Sequence, residues 1–149
     1  MDSPRIIKGD MAVDDRGCLV FANDFQFEGV KRFYIVHNHT RHFVRAWHGH
    51  QHEGKYVMAI SGACIVAAIP LEQLSNPSRL PPANLFRTIL STQKPAVLWI
   101  PPGYANGFMS LTDDASLMYF STATLDESKN DDLRFDKSIY EQIWTVIER

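Results

Sequence analysis

Short apolar runs of four to six residues alternate with turn residues along most of the chain. The segments 19–22, 33–36, 56–60, 64–69, 96–100 and 116–120 have strand length and carry β-branched and aromatic side chains. Ser61-Gly62, between two of them, reads as a hairpin turn. Repeated short strands with turn signals predict an antiparallel sandwich or barrel. An α/β fold would need helices between the strands, and the gaps are mostly too short. Two segments depart from the pattern. Residues 74–84 hold Pro77, Pro81 and Pro82 with Ser and Asn, which predicts a loop preceded by one helical turn near Leu71 to Leu74. In 137–149, Ile139, Ile143, Trp144, Val146 and Ile147 are spaced as on one short amphipathic C-terminal helix, with Asp136 or Ser138 near its start. No repeat or linker divides the chain, so residues 1–149 are expected to form one domain.

Composition narrows the classes. A chain of 149 residues can bury a sizeable core. Its 45% hydrophobic and 21% charged residues, with a formal net charge of -2, are those of a soluble globular protein. That balance offers no broad basic face, so no nucleic-acid partner is expected. The apolar stretch from Cys64 to Leu71 is far short of a membrane span, and no membrane partner is expected. The segment 1–5 is polar and Ile6-Ile7 is too short for a signal-peptide core. Two cysteines, Cys18 and Cys64, cannot make a disulfide framework, which suits a cytoplasmic protein.

Candidate chemistry is concentrated in two places. All six histidines lie between His37 and His52. In an extended segment alternate residues share a face, so His48 and His50 would point into one cavity, flanked by the positive charges of Arg45 and Lys55. The second place is the segment from Trp99 to Phe108, where a strand ends in the turn Pro101-Pro102-Gly103 and then resumes. Alone, that turn is a structural device.

Taken together and in order, these pieces resemble the 4-keto-6-deoxy-sugar 3,5-epimerases of rhamnose biosynthesis, a family of cupins. The resemblance runs over about residues 14–136 and rests on Asp15-Arg16-Gly17, Asn38-His39-Thr40, Arg45-Ala46-Trp47-His48, Gly54-Lys55, the segment 99–108, Tyr119 before Ser121-Thr122, and Leu133-Arg134-Phe135-Asp136. It implies an all-β fold, the double-stranded β-helix or jelly-roll barrel. It also implies inversion at C3, C5 or both of a nucleotide-linked 4-keto-6-deoxy sugar, through an enolate and without a cofactor. Such sugars enter surface polysaccharides or decorated natural products. His48 would be the general base, Lys55 would hold the enolate oxygen, and Tyr119 would return a proton from the opposite face. Arg16 and Arg45 would bind the diphosphate or orient the sugar, and Asn38, His50 and Asn106 would line the substrate site. Family members pair through an N-terminal strand, so a homodimer is expected.

The residue types fit that chemistry independently. A proton beside a ketone is weakly acidic, so the developing oxyanion needs a fixed positive partner. Histidine accepts a proton near neutral pH, and arginine binds phosphate bidentately.

The sequence also departs from the family. Asn106 stands where a second cavity histidine is usual, and no acid partner for His48 can be placed after Asp136. Thr124 and Leu125 replace paired aromatics that hold the nucleotide base in relatives. His48, His50 and Glu53 resemble the start of a metal-binding cupin set, but Asn106 is a poor final ligand, and no metal is expected. Lys31-Arg32-Phe33-Tyr34 and His48-Gly49-His50 also resemble sugar 3,4-ketoisomerases, which use two histidines spaced as these are. A binding-only cupin is the remaining alternative. Lys55, Tyr119 and the Pro-Pro-Gly turn favour the epimerase.

Overall fold

A computed structural model describes residues 2–149. Twelve strands form in chain order: β1 (Arg5–Lys8), β2 (Asp10–Asp14), β3 (Gly17–Phe21), β4 (Arg32–His37), β5 (Val44–His50), β6 (Lys55–Ser61), β7 (Ala63–Pro70), β8 (Phe86–Ser91), β9 (Ala96–Ile100), β10 (Tyr104–Ser110), β11 (Ser116–Ser121) and β12 (Leu133–Arg134). Two short helices interrupt them, α1 (Leu71–Ser75) and α2 (Leu125–Lys129). One five-stranded sheet has the order β1-β9-β6-β11-β4 and a second has the order β12-β5-β10-β7-β8. Strands β2 and β3 form a separate hairpin.

The two large sheets face each other, and their inward side chains make the central core. Val57, Leu98, Ile100, Leu117 and Tyr119 come from the first sheet, and Val66, Ala68, Leu90 and Phe108 from the second. Both outer faces are also partly covered. Trp47, Ile65, Ile69 and Met109 pack under α1 and the C-terminal residues Tyr140, Ile143 and Trp144. Tyr56, Val97 and Phe120 pack under Phe25 and Val30 of the segment before β4. This double cover explains why residues 64–69 form an unbroken apolar run: all six are buried.

Ser61-Gly62 does not close a hairpin. β6 pairs with β9 and β11, whereas β7 pairs with β10 and β8, so the turn is a corner between sheets. Gly62 adopts φ 62°, and a Cβ there would collide with the Thr112 hydroxyl and lie 2.6 Å from a carboxylate oxygen of Asp114. Such a turn permits either connection, and the neighbouring strands decide.

The expected C-terminal helix is a single 3₁₀ turn, Glu141–Trp144. Side chains take the carbonyls that a longer helix would use. The Trp47 indole donates to the Ile139 carbonyl at 3.0 Å, and Arg87 donates to the carbonyls of Ile143 at 2.7 Å and Thr145 at 3.2 Å. Ile143 and Trp144 are buried as the pattern requires, while Val146 and Ile147 remain exposed. The helical turn at Leu71 to Leu74 is present as the start of α1. Helix α2 was not anticipated, although Thr124 and Glu127 form a reciprocal capping box at its start.

Candidate functional site

Strand β5 crosses the second sheet with His48 and His50 turned inward. Between them Gly49 faces outward against helix α1, where a Cβ would collide with the Leu71 side chain. A larger residue at 49 would push the strand off α1 and tilt both histidines. The end of β5 is clamped by the Pro-Pro-Gly turn: Gly103 donates its backbone N–H to the His50 carbonyl at 2.8 Å, and the Gly103 carbonyl accepts from Leu71 at 3.0 Å. The same turn carries the chain from β9 in one sheet to β10 in the other, bringing Asn106 and Phe108 beside β5.

These elements enclose a cavity of about 390 Å³, a size suited to a small polar ligand. Its second-sheet wall holds Arg45, His48, His50, Asn106 and Phe108, and the facing wall holds Arg32, Tyr34, Lys55 and Tyr119. Helix α2 and the segment after it close the rim with Ser128, Lys129, Asp132 and Arg134. Arg32, Arg45, Lys55, Lys129 and Arg134 outnumber the single lining carboxylate, Asp132. The cavity therefore attracts anions.

Lys55 and Tyr119 are deeply buried, at 6% and 2% exposure. The Lys55 ammonium lies 5.8 Å from the centre of the Tyr119 ring. Tyr119 is the cross-strand partner of Tyr34, with ring centres 5.0 Å apart and planes 6° from parallel. Burial holds the pKa of the Tyr119 phenol well above its ordinary value, so the hydroxyl keeps its proton at neutral pH. Burial also lowers the His48 pKa, reinforced by the charges of Arg134 and Lys55 and opposed by Asp132. The imidazole is thereby biased toward its neutral, proton-accepting form.

Not every candidate from the sequence lines the cavity. Arg45, His48, His50, Lys55, Asn106 and Tyr119 do. Asn38 is buried behind the wall, where it accepts from the Arg45 Nε at 2.7 Å and donates to the Ser110 hydroxyl at 2.8 Å. It orients Arg45. Arg16 is exposed at the β2–β3 turn, bound to Asp14 at 2.6 Å and outside the cavity of its own chain. Of the six histidines, only His48 and His50 line the cavity. Among the described residues, no group of three or more His, Cys, Asp or Glu side chains gathers as a metal site. Glu53 is turned away from the cavity into a buried network.

Sequence reasoning assigned no role to Arg32, Tyr34, Lys129, Asp132 or Arg134. Arg32, Tyr34 and Val36 alternate along β4, and their period of two was a usable signal. Asp132 is the carboxylate nearest in effect to the acid that the sequence left unplaced: it lines the cavity with His48, raises the His48 pKa through its charge, and accepts from the Arg134 Nε at 3.0 Å.

A basic cavity between two facing antiparallel sheets is the arrangement of the cupin fold. Within that fold, the chain belongs to the dTDP-4-dehydrorhamnose 3,5-epimerase family, a family of isomerase-type enzymes, whose model matches residues 3–148. No curated protein matches the chain. Among solved structures it is similar to a dTDP-6-deoxy-D-glucose-3,5-epimerase of Legionella pneumophila in complex with dTDP-4-keto-L-rhamnose, with TM-score 0.73 and 21% identity over 97% of this chain and 78% of that one. It is also similar to a 3'-monoepimerase of Streptomyces bikiniensis in complex with dTDP-quinovose, with TM-score 0.71 and 17% identity over 89% and 69%. A sugar 3,4-ketoisomerase of Thermoanaerobacterium thermosaccharolyticum in complex with TDP gives TM-score 0.66 and 16% identity over 95% and 94%. At these identities the likeness establishes the fold.

Proposed function

We propose that the protein inverts C3, C5 or both of a nucleotide-linked 4-keto-6-deoxy sugar through an enolate. The observation that carries this is the convergence of His48, Lys55 and Tyr119 on one cavity from facing sheets. The neutral His48 imidazole takes the proton from the carbon beside the ketone. The electron pair of that C–H bond moves onto the ketone oxygen, where the Lys55 ammonium holds the resulting enolate. Tyr119 then donates its proton to the same carbon from the opposite face, and solvent restores both groups. Inversion requires donor and acceptor on opposite sides of the ring, and β5 and β11 supply them from different sheets. The diphosphate is a dianion, and Arg45, Lys129 and Arg134 are the cations we assign to it.

Proton NMR in heavy water with a panel of nucleotide-linked 4-keto-6-deoxyhexoses tests the reading. Deuterium entering C3 or C5 with the ketone left at C4 is the expected result. A ketone appearing at C3 would transfer the assignment to 3,4-ketoisomerase chemistry. Tyr119→Phe is expected to slow inversion about 10²-fold or more while deuterium still enters from the His48 face. If exchange and inversion fall together, Tyr119 is not the second-face donor.

We further infer that residues 1–149 act as one unit and assemble as a cytoplasmic homodimer. The β2–β3 hairpin supports the dimer: it forms its own sheet, yet exposes Val13, Leu19 and Val20. Edge strand β4 likewise exposes Phe33 and Ile35. Apolar surface of this kind is covered by a partner more often than left in water. Light scattering is expected to give twice the 17.0 kDa chain mass. A monomer at micromolar concentration would remove the dimer from the account.

A further inference from the structure

Where β5 turns into β6 lies a row of buried ionisable groups, His50, Glu53 and Lys55, of which the proposed chemistry uses only Lys55. The His50 Nδ1 lies 2.7 Å from the Asp131 carbonyl oxygen. A carbonyl only accepts, so this nitrogen carries the ring proton. The same Nδ1 is 3.1 Å from a Glu53 carboxylate oxygen, a second acceptor on the same side. The other ring nitrogen, Nε2, then has a free lone pair, and the Lys55 Nζ approaches it at 3.2 Å. An ammonium can only donate, which agrees with the tautomer set from the far side of the ring. A proton on Nε2 would face the ammonium directly and repel it.

Glu53 is fixed as firmly as the ring. Its side chain is fully buried and accepts from the hydroxyls of Ser121 and Ser128 and from the guanidinium of Arg32, the last at 3.3 Å. Asp131 holds the turn in place by accepting the backbone N–H groups of Gln51 at 2.9 Å and His52 at 2.8 Å. So many partners around one carboxylate exceed what a loop connection requires.

We propose that His50 is a positioning residue that holds the Lys55 ammonium by accepting its hydrogen bond, while Glu53 fixes the His50 tautomer and keeps Lys55 charged. On this account His50 exchanges no proton with the substrate. Two of the three ammonium hydrogens stay available to the cavity, aimed by the third. The electrostatics agree: burial lowers the Lys55 pKa, and the Glu53 charge opposes that loss. Burial and the Lys55 charge lower the His50 pKa, which keeps the ring neutral.

The proposal rests on the epimerase reading for its kinetics, but its geometry can be tested without substrate. Nitrogen-edited NMR of the ¹⁵N-labelled protein near pH 7.5 is expected to show His50 protonated on Nδ1 alone. An Nε2–H tautomer or an imidazolium would overturn the proposal. The kinetic test compares two variants. His50→Gln keeps an acceptor for Lys55 but cannot carry a catalytic proton, whereas His50→Leu removes the acceptor. C3/C5 exchange is expected to fall about tenfold in the first and about 10²- to 10³-fold in the second. Equal collapse of both variants, as an acid–base histidine would give, overturns it.

Glu53→Gln keeps the shape and removes the charge. Lys55 is faced by Glu53 from the β5–β6 segment, His48 and His50 from β5, Arg32 from β4, Asp132 from the segment before β12, and the Tyr119 ring from β11. Glu53 is the carboxylate whose charge most raises the Lys55 pKa. Its loss should therefore move the alkaline limb of the pH–rate profile to lower pH. An unmoved limb overturns the role of Glu53. Absence of any exchange by the wild-type protein would instead overturn the epimerase reading, and the tautomer measurement would still decide the His50 geometry.

Discussion

Replacing Lys55 with methionine is expected to reduce C3/C5 proton exchange by about 10²- to 10³-fold, the usual cost of removing one donor to a developing oxyanion. The fold should survive. Lys55 is 6% exposed, and burial already works against its charge. A methionine of similar length avoids the desolvated cation but leaves the His50 Nε2 acceptor and the Glu53 charge buried without their cationic neighbour, which costs stability. Thermal unfolding followed by circular dichroism should show a lowered Tm with a native spectrum at the assay temperature, so that the lost exchange reports on chemistry. Exchange within threefold of the wild type would show that the enolate oxygen is held elsewhere.

His48→Asn should be equally severe, with exchange falling by about 10²- to 10⁴-fold, the range for loss of a general base. The wild-type pH profile gives an independent check. A base must be neutral to act, so kcat/KM falls as pH drops through the His48 pKa. Burial, with Arg134 and Lys55 behind it, holds that pKa below the ordinary histidine value of 6.5. The acid limb should therefore lie below 6.5 and be missing from the residual activity of the variant. A limb at or above 6.5 would assign the titration to another group.

How far these residues could be read from the sequence depended on the kind of signal each carried. His48-Gly49-His50 was legible because strand periodicity is local: two histidines two apart share a face wherever the strand is placed. The central strand β7 was legible because cover on both faces leaves a continuous apolar run. The Ser61-Gly62 connection was misread because a glycine turn specifies a bend and not which strands pair across it. At the C-terminus the apolar spacing marked Ile143 and Trp144 correctly for burial, but the spacing could not show that Trp47 and Arg87 would take the carbonyls. Asn38 was expected to line the substrate site because polar residues near a cavity look alike in sequence, and only their three-dimensional placement distinguishes a group that lines the cavity, as His50 does, from one that holds its neighbour. Lys129 reaches the site from the last turn of the short helix α2, which was not anticipated, and Asp132 from the irregular segment after it, where no periodicity operates.

The two walls of the cavity belong to different sheets, and the apolar side chains packed between them set their separation. Phe108 and Leu117 thus act as a gauge for the sugar ring: they fix the gap into which a carbon must fit so that base and acid address it from opposite sides. A conservative change of volume in that layer would alter reaction geometry without touching any group that handles a proton. On the proposed mechanism, inverting two centres rather than one requires the ring to turn over inside the gap, so hydrocarbon packing would bear on that choice as well as the side chains that handle protons.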